Sequence, residues 1–113
     1  AESPFTIFML LRTRPDWLAL PPADRFAFLD AEIRPRIARR PEVRLRFFDA
    51  EAFHAPVSDI AVWETADLRA WSALVEDLRE TAFWGRYFEV EAILPSVESG
   101  WAAHYGQKRL GEG

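Results

Sequence analysis

The 113-residue chain carries 14 basic and 18 acidic side chains, and half of its residues are hydrophobic, including five Trp and nine Phe. This composition argues against disorder and predicts one domain over 1–113, with a folded core over 5–105 and a flexible tail over 107–113. The acidic balance disfavours nucleic-acid binding, and the apolar runs are too short for a membrane span. No basic-then-apolar leader is seen, and the absence of cysteine excludes thiol chemistry and suits a cytoplasmic location.

Four strands are predicted, within 5–12, 43–48, 59–64 and 87–94. The first is apolar on both faces, which indicates a central strand. The second alternates apolar and polar residues, which is typical of a strand with unlike faces. Pro95 is expected to end the fourth strand.

Helices are predicted between these strands. Pro21-Pro22 indicates the start of the first, and Pro35 is expected to kink it or to end it near Glu32. Thr65 is expected to cap the second, and Ser96 a short C-terminal one. The apolar stripes at helical spacing are Phe26, Leu29, Ile33 and Ile37 in the first helix and Leu68, Trp71, Leu74, Val75 and Leu78 in the second.

The order strand, helix, strand, strand, helix, strand predicts an α+β fold of the ferredoxin-like βαββαβ type. Such a fold has an antiparallel four-stranded sheet with both helices on one face, here with an extra C-terminal helix. The other sheet face would then lack a cover. Because large exposed apolar areas usually mark a partner surface, a homodimer with sheet facing sheet is expected.

Strand alternation assigns residues to the two sheet faces. The set expected to meet the helices is Val43, Leu45, Phe47, Ile60, Val62, Phe88, Val90 and Ala92. The set expected on the opposite face is Arg44, Arg46, Phe48, Asp59, Ala61, Trp63, Tyr87, Glu89 and Glu91. The second set mixes aromatic and charged side chains, which predicts either a polar-lined cleft or an interface with ion pairs.

Three residues are candidates for catalysis. Arg46 could hold a carboxylate or an enolate through paired hydrogen bonds, or form a salt bridge with Glu89 or Asp59. Glu89 could act as a base if burial raised its pKa, and Asp59 is an alternative for that role. His54, in the connection between the two middle strands, could be a general base or a solvated loop residue.

Ligand binding is assigned to Trp63, Asp59 and Tyr87. Trp63 could stack on a planar molecule or pack in an interface. No metal site and no cofactor are expected, because two distant histidines are a poor metal signal, although His104 could ligate a haem or a metal. The nucleophile-elbow, Walker and dinucleotide-binding motifs are absent.

Several segments resemble the darcynin family of small bacterial proteins. They are residues 8–12 with 15–18, 43–53, 58–65, 87–90 and 93–95, and the resemblance covers the chain from Phe5 to about Tyr105. It implies the fold and the domain bounds but no activity and no catalytic residue. More distantly, the topology is similar to the dimeric α/β-barrel superfamily, which includes cofactor-free monooxygenases, cyclases and isomerases.

Two functions remain open. In one, the chain binds a small molecule or is a cofactor-free cyclase, isomerase or monooxygenase acting on a planar acidic or phenolic substrate. Arg46 would then stabilise negative charge, Trp63 would stack on the substrate, and His54 or Glu89 would move a proton. In the alternative, the chain is a non-catalytic dimeric binding or accessory module.

Overall fold

A computed structural model describes residues 4–112. Within this range the strands are β1 (Phe5–Thr13), β2 (Val43–Asp49), β3 (Asp59–Thr65) and β4 (Phe88–Ser96). The helices are α1 (Pro15–Leu18), α2 (Pro22–Phe28), α3 (Arg34–Ala38), α4 (Leu68–Arg79) and α5 (Gly100–Tyr105). A π-helical turn, Leu29–Ile33, joins α2 to α3.

The strands form one antiparallel sheet in the order β2-β3-β1-β4. This is the predicted ferredoxin-like α+β arrangement, and β1 is central as its apolar sequence indicates. Ile7, Met9 and Leu11 of β1 are fully buried under the helical layer, whereas Phe8 between them is 39% exposed. The helices therefore cover one face of the sheet, called the helix face below, and leave the other, the open face.

The predicted face of β3 is wrong. Trp63 pairs with Ile7 and Leu45, so it lies on the helix face, and Asp59 and Ala61 share that face by alternation. Ile60 and Val62 accordingly lie on the open face, opposite to the prediction. The faces of β2 are as predicted, since Val43, Leu45 and Phe47 are the cross-strand partners of Thr65, Trp63 and Ala61.

A β-bulge changes the alternation of β4. Leu10 pairs with Ala92 but Leu11 pairs with Val90, so Glu91 has no backbone pairing partner on β1. Ala92, expected on the helix face, therefore lies on the open face. The strand also continues through Pro95, because β4 is an edge strand where a missing N–H costs no ladder bond.

The predicted effect of Pro35 is seen one turn earlier. Proline clashes with the carbonyl four residues before it, and the chain takes the wider π turn over Leu29–Ile33 in place of an α-helix. All four residues of the predicted stripe, Phe26, Leu29, Ile33 and Ile37, line the cavity described below.

Two predicted caps are wrong. Asp67, not Thr65, caps α4, and its carboxylate accepts from the backbone N–H groups of Arg69 and Ala70. Thr65 instead donates to the Glu42 carbonyl oxygen at 2.9 Å and so ties the end of β3 to the start of β2. The residue before α5 is Ser99 rather than Ser96, and it makes no side-chain cap.

Within residues 4–112, no helix has the length and apolar character needed to cross a bilayer. The segment after α5, predicted to be flexible, makes hydrogen bonds in the structure. Gln107 donates its backbone N–H to the Ala102 carbonyl oxygen at 2.8 Å, and Arg109 lies 3.6 Å from a Glu98 carboxylate oxygen.

Candidate functional site

A cavity of about 510 Å³ lies between the helix face of the sheet and the helical layer. Cavities of 300–1,000 Å³ are typical of small-molecule sites. Its lining residues include, from the sheet, Met9, Leu45, Phe47, Ala61, Trp63 and Phe88, and from the helical layer and its connections, Trp17, Phe26, Leu29, Ile33, Ile37, Leu78 and Phe83. The body of this cavity is therefore apolar and rich in aromatic rings.

Trp63 lines the cavity from the centre of β3. Its side chain is 2% exposed, and its indole Nε1 is buried without a hydrogen-bond partner. A buried N–H without a partner is unfavourable by about 1–3 kcal/mol, and Trp71 Nε1 and Arg40 Nε, outside the cavity lining, are in the same state.

Asp59 lines the same cavity at the start of β3, four residues from Trp63. At the rise of a strand, this places the two side chains about 13 Å apart along β3. The Ser58 hydroxyl donates to Asp59 Oδ2 at 2.8 Å. Burial raises the pKa of the Asp59 carboxyl, the Ser58 hydrogen bond lowers it, and the charges of Asp49 and Glu51 raise it further.

Three carboxylates therefore meet at the Asp59 end. Asp49 is the cross-strand partner of Asp59, and Asp49 and Glu51 both line the cavity. Among the described residues, no group of three His, Cys, Asp or Glu side chains is arranged to hold a metal ion. These three carboxylates form an acidic rim at one end of a cavity whose body is apolar.

Arg25 lines the cavity from α2, opposite the sheet. Its guanidinium donates to the backbone carbonyl oxygens of Trp17 and Leu18, at 3.2 and 3.1 Å, and forms no ion pair with Asp59. The second arginine of the lining, Arg34, pairs with Asp30 at 2.8 Å. Asp59 thus has no cationic partner among the described residues, although two arginines line its cavity.

The structure separates the predicted site residues. Arg46 lies on the open face, where its guanidinium stacks 5.0 Å from the Phe48 ring, and the sheet lies between it and Trp63. Glu89 pairs with Arg14 at 3.0 Å rather than with Arg46. The predicted salt bridges of Arg46 with Glu89 or Asp59 are therefore absent, and the catalytic roles of Arg46 and Glu89 stay predictions.

His54 lies in the exposed loop between β2 and β3, and its Nδ1 accepts from the Val57 N–H at 3.1 Å. His104 lies exposed on α5 with its ring against Tyr105. Both histidines are outside the cavity lining, so this cavity offers no imidazole ligand for a haem iron. The catalytic role of His54 also stays a prediction.

Tyr87 is part of an aromatic cluster rather than of the cavity lining. Its ring centroid is 5.4 Å from Trp17 and 4.9 Å from Phe28. Of the predicted site residues, the structure brings together Asp59 and Trp63 in one cavity. Tyr87 packs against Trp17, which lines the cavity from the helical layer.

Sequence reasoning missed the contributions of Arg25, Asp49 and Glu51. A signal was available for Asp49, because acids that end one strand and begin the next in a hairpin become cross-strand neighbours. No comparable signal marked Arg25, which α2 places in the cavity lining.

Sequence comparison identifies related proteins along nearly the whole chain. The darcynin family model, described as a domain of unknown function, matches residues 1–112. A darcynin homolog from Granulibacter bethesdensis is 46% identical over 110 residues, which are 96% of this chain and 89% of that protein. Another from Streptomyces avermitilis is 46% identical over 106 residues, which are 93% of this chain and 88% of that protein.

Solved structures with the same fold include chlorite dismutases. The enzyme from Candidatus Nitrospira defluvii in complex with imidazole has a TM-score of 0.71 at 14% identity, covering 85% of this chain and 40% of that one. A mutant of the same enzyme has a TM-score of 0.74 at 14% identity, covering 96% and 45%. This chain spans less than half the length of either. At such identities the similarity establishes the fold alone.

Proposed function

Because the chain belongs to the darcynin family, whose function is unassigned, its activity must be inferred from its cavity, and we propose that it binds a small, planar, largely apolar molecule there. The observation that carries this proposal is the aromatic cavity with the half-buried Asp59 carboxyl at its rim, whose Oδ1 has no hydrogen-bond partner among the described residues. A molecule with one hydrogen-bonding group, such as a phenol, matches that lining.

The acidic rim refines the sequence-based expectation of an acidic or phenolic ligand. A carboxylate ligand at this end would meet the charges of Asp49, Glu51 and Asp59, which disfavours it. A phenol or another hydrogen-bond donor could donate to Asp59 without that repulsion. We therefore favour a ligand that donates to Asp59 over one that is itself an acid.

Naphthol is a suitable probe because it is a planar, apolar phenol that the volume of the cavity accommodates. Titrated into the isotopically labelled chain, it should shift the amide resonances of β3 and of the segment 22–38, which surround the cavity. The resonances of open-face residues such as Arg46 and Phe48 should stay unchanged. Shifts confined to the open face, or no shifts with millimolar naphthol, would contradict the proposal.

Catalysis without a cofactor is a second candidate, favoured by the environment of Asp59. A carboxyl whose pKa is raised by burial and by neighbouring acids suits proton transfer. Asp59 would take a proton from one atom of the ligand and return it to another, an isomerisation that needs no co-reactant. In D₂O, the wild-type chain should exchange such a proton of a bound enolisable ketone, and Asp59→Asn should bind the ketone without exchanging it.

We also propose that a second copy of the chain covers the open face. Phe8, Phe48 and Leu94 are 39–49% exposed there. A two-fold axis parallel to the strands would place β2 of one copy over β4 of the other, so that Arg46 and Phe48 lie over Leu94 and Ala92 of the other copy. Light scattering should show a dimer that Phe8→Asp dissociates. A wild-type monomer at high concentration would contradict this assembly.

A further inference from the structure

Within the described residues, no basic side chain forms an ion pair with the carboxylates of the acidic rim. Asp49, Glu51 and Asp59 line this end, and Asp49 faces Asp59 directly across the β2–β3 pair. Like charges placed opposite each other on neighbouring strands are destabilising. This arrangement lies at the polar end of the cavity.

Two arginines that line the cavity could supply a balancing cation, but Arg34 pairs with Asp30. Arg25 lines the cavity from α2, but its Nε and Nη2 donate to the Trp17 and Leu18 carbonyl oxygens. Those bonds hold the guanidinium at the α1–α2 connection. Asp59 therefore receives one hydrogen bond, from Ser58 to Oδ2, and its Oδ1 has no partner among the described residues.

We propose that the polar group of the ligand is an organic cation, a primary or secondary amine on an aromatic body, and that Asp59 binds it. This inference rests on the proposed binding function and adds the class of the head group. An ammonium donates hydrogen bonds that the free Asp59 oxygen accepts, and its charge offsets those of Asp49 and Glu51. The aromatic body fills the apolar part of the cavity toward Trp63.

A small inorganic cation is a poorer match for the same rim. The carboxylates are not grouped as metal ligands within the described residues, and the volume beside them is lined by apolar side chains. Desolvating an aromatic body in that volume favours binding by about 25 cal/mol per Å² of apolar surface removed from water. A metal ion would leave this part of the cavity unused.

The ligand could instead be a carboxylate held by Arg25, and three matched probes separate the two cases. Naphthylmethylamine, naphthalenemethanol and naphthoate share one ring system and differ in the charge of the head group. By calorimetry near neutral pH, the amine should bind about tenfold tighter than the alcohol, as expected for a charge-assisted hydrogen bond. The naphthoate should bind most weakly.

Variants assign the effect to Asp59. Asp59→Asn should weaken the amine about tenfold and change the alcohol less than about twofold, because the variant removes charge and leaves the shape. Glu76→Gln, which removes an exposed acid from α4 outside the cavity lining, is the matched control and should change neither. Thermal unfolding of each variant confirms that it is folded.

The outcomes are distinct. Tighter binding of naphthoate that Arg25→Gln abolishes, or amine binding that is unchanged in Asp59→Asn, would overturn the amine inference while the cavity remains a binding site. If none of the three probes, and no naphthol, binds the wild-type chain, both the inference and the proposed function fail.

Discussion

Asp59 and Trp63 project from the same face of β3, four residues apart, and both line the cavity under the helical layer. One supplies a carboxylate at the rim, and the other is an almost fully buried aromatic side chain. Because the strand fixes their separation, the cavity has a polar end at Asp59 and an apolar, aromatic interior. Ligand binding in the cavity is proposed to depend on this arrangement.

Asp59→Asn should raise stability near neutral pH. Since the pKa of Asp59 is raised above its ordinary value of 3.8, the folded chain binds a proton more tightly than the unfolded chain just above that value. The free energy of unfolding should therefore fall as the pH rises through the folded-state pKa of Asp59. Comparing urea unfolding of both proteins at several pH values tests this. Equal slopes in wild type and variant across that range would contradict the assignment.

Arg46→Ala should leave ligand binding in the cavity unchanged. Arg46 lies on the open face and stacks on Phe48, with the sheet between it and the cavity. Substitutions at separated sites act independently, so the affinity for naphthol should change by less than about twofold. A large loss of naphthol affinity on calorimetry would instead restore the sequence-based hypothesis that Arg46 and Trp63 share one site.

Leu74→Ala should destabilise the chain strongly, because Leu74 is fully buried between α4 and the sheet. Such truncations cost about 2–5 kcal/mol. Leu68→Ala, in the same helix but at a residue 37% exposed, is the matched control and should cost about 1 kcal/mol or less. Denaturant unfolding measures both, and similar losses would show that α4 does not pack as described.

Asp67→Ala should cost about 1 kcal/mol, the usual value of an N-cap. The Asp67 carboxylate accepts two backbone hydrogen bonds at the start of α4, from Arg69 at 3.0 Å and from Ala70 at 3.1 Å. Glu76→Ala, in the middle of the same helix, should be near neutral because alanine is a strong helix former. A neutral Asp67→Ala would place the helix start elsewhere.

The sequence allowed the fold to be predicted because its strongest patterns are local. The apolar run of β1 and the alternation in β2 identify these strands and the central position of β1. The Pro35 effect also follows from local chemistry, since proline clashes with the carbonyl four residues before it, which lies within the π turn Leu29–Ile33. These features need no knowledge of which strands pair.

The site was harder to predict because it depends on register. The segment 59–64 contains apolar residues at both parities, so its alternation does not decide whether Val62 or Trp63 faces the helices. Pairing with β1 and β2 settles it for Trp63, and this moves Asp59 away from Arg46. The bulge at Glu91 similarly reassigns Ala92, and no residue in the sequence marks it.

Filling the cavity tests its role as a binding site most directly. Ala61 is 1% exposed and lies on the cavity floor between Asp59 and Trp63, so Ala61→Leu should occupy the space that a ligand needs. Ala92→Leu makes the same change on the open face of the same sheet. Ala61→Leu should abolish naphthol binding on calorimetry while the chain stays folded, and Ala92→Leu should bind naphthol like wild type. Unchanged naphthol affinity in a folded Ala61→Leu chain would contradict the proposal that this cavity is the binding site.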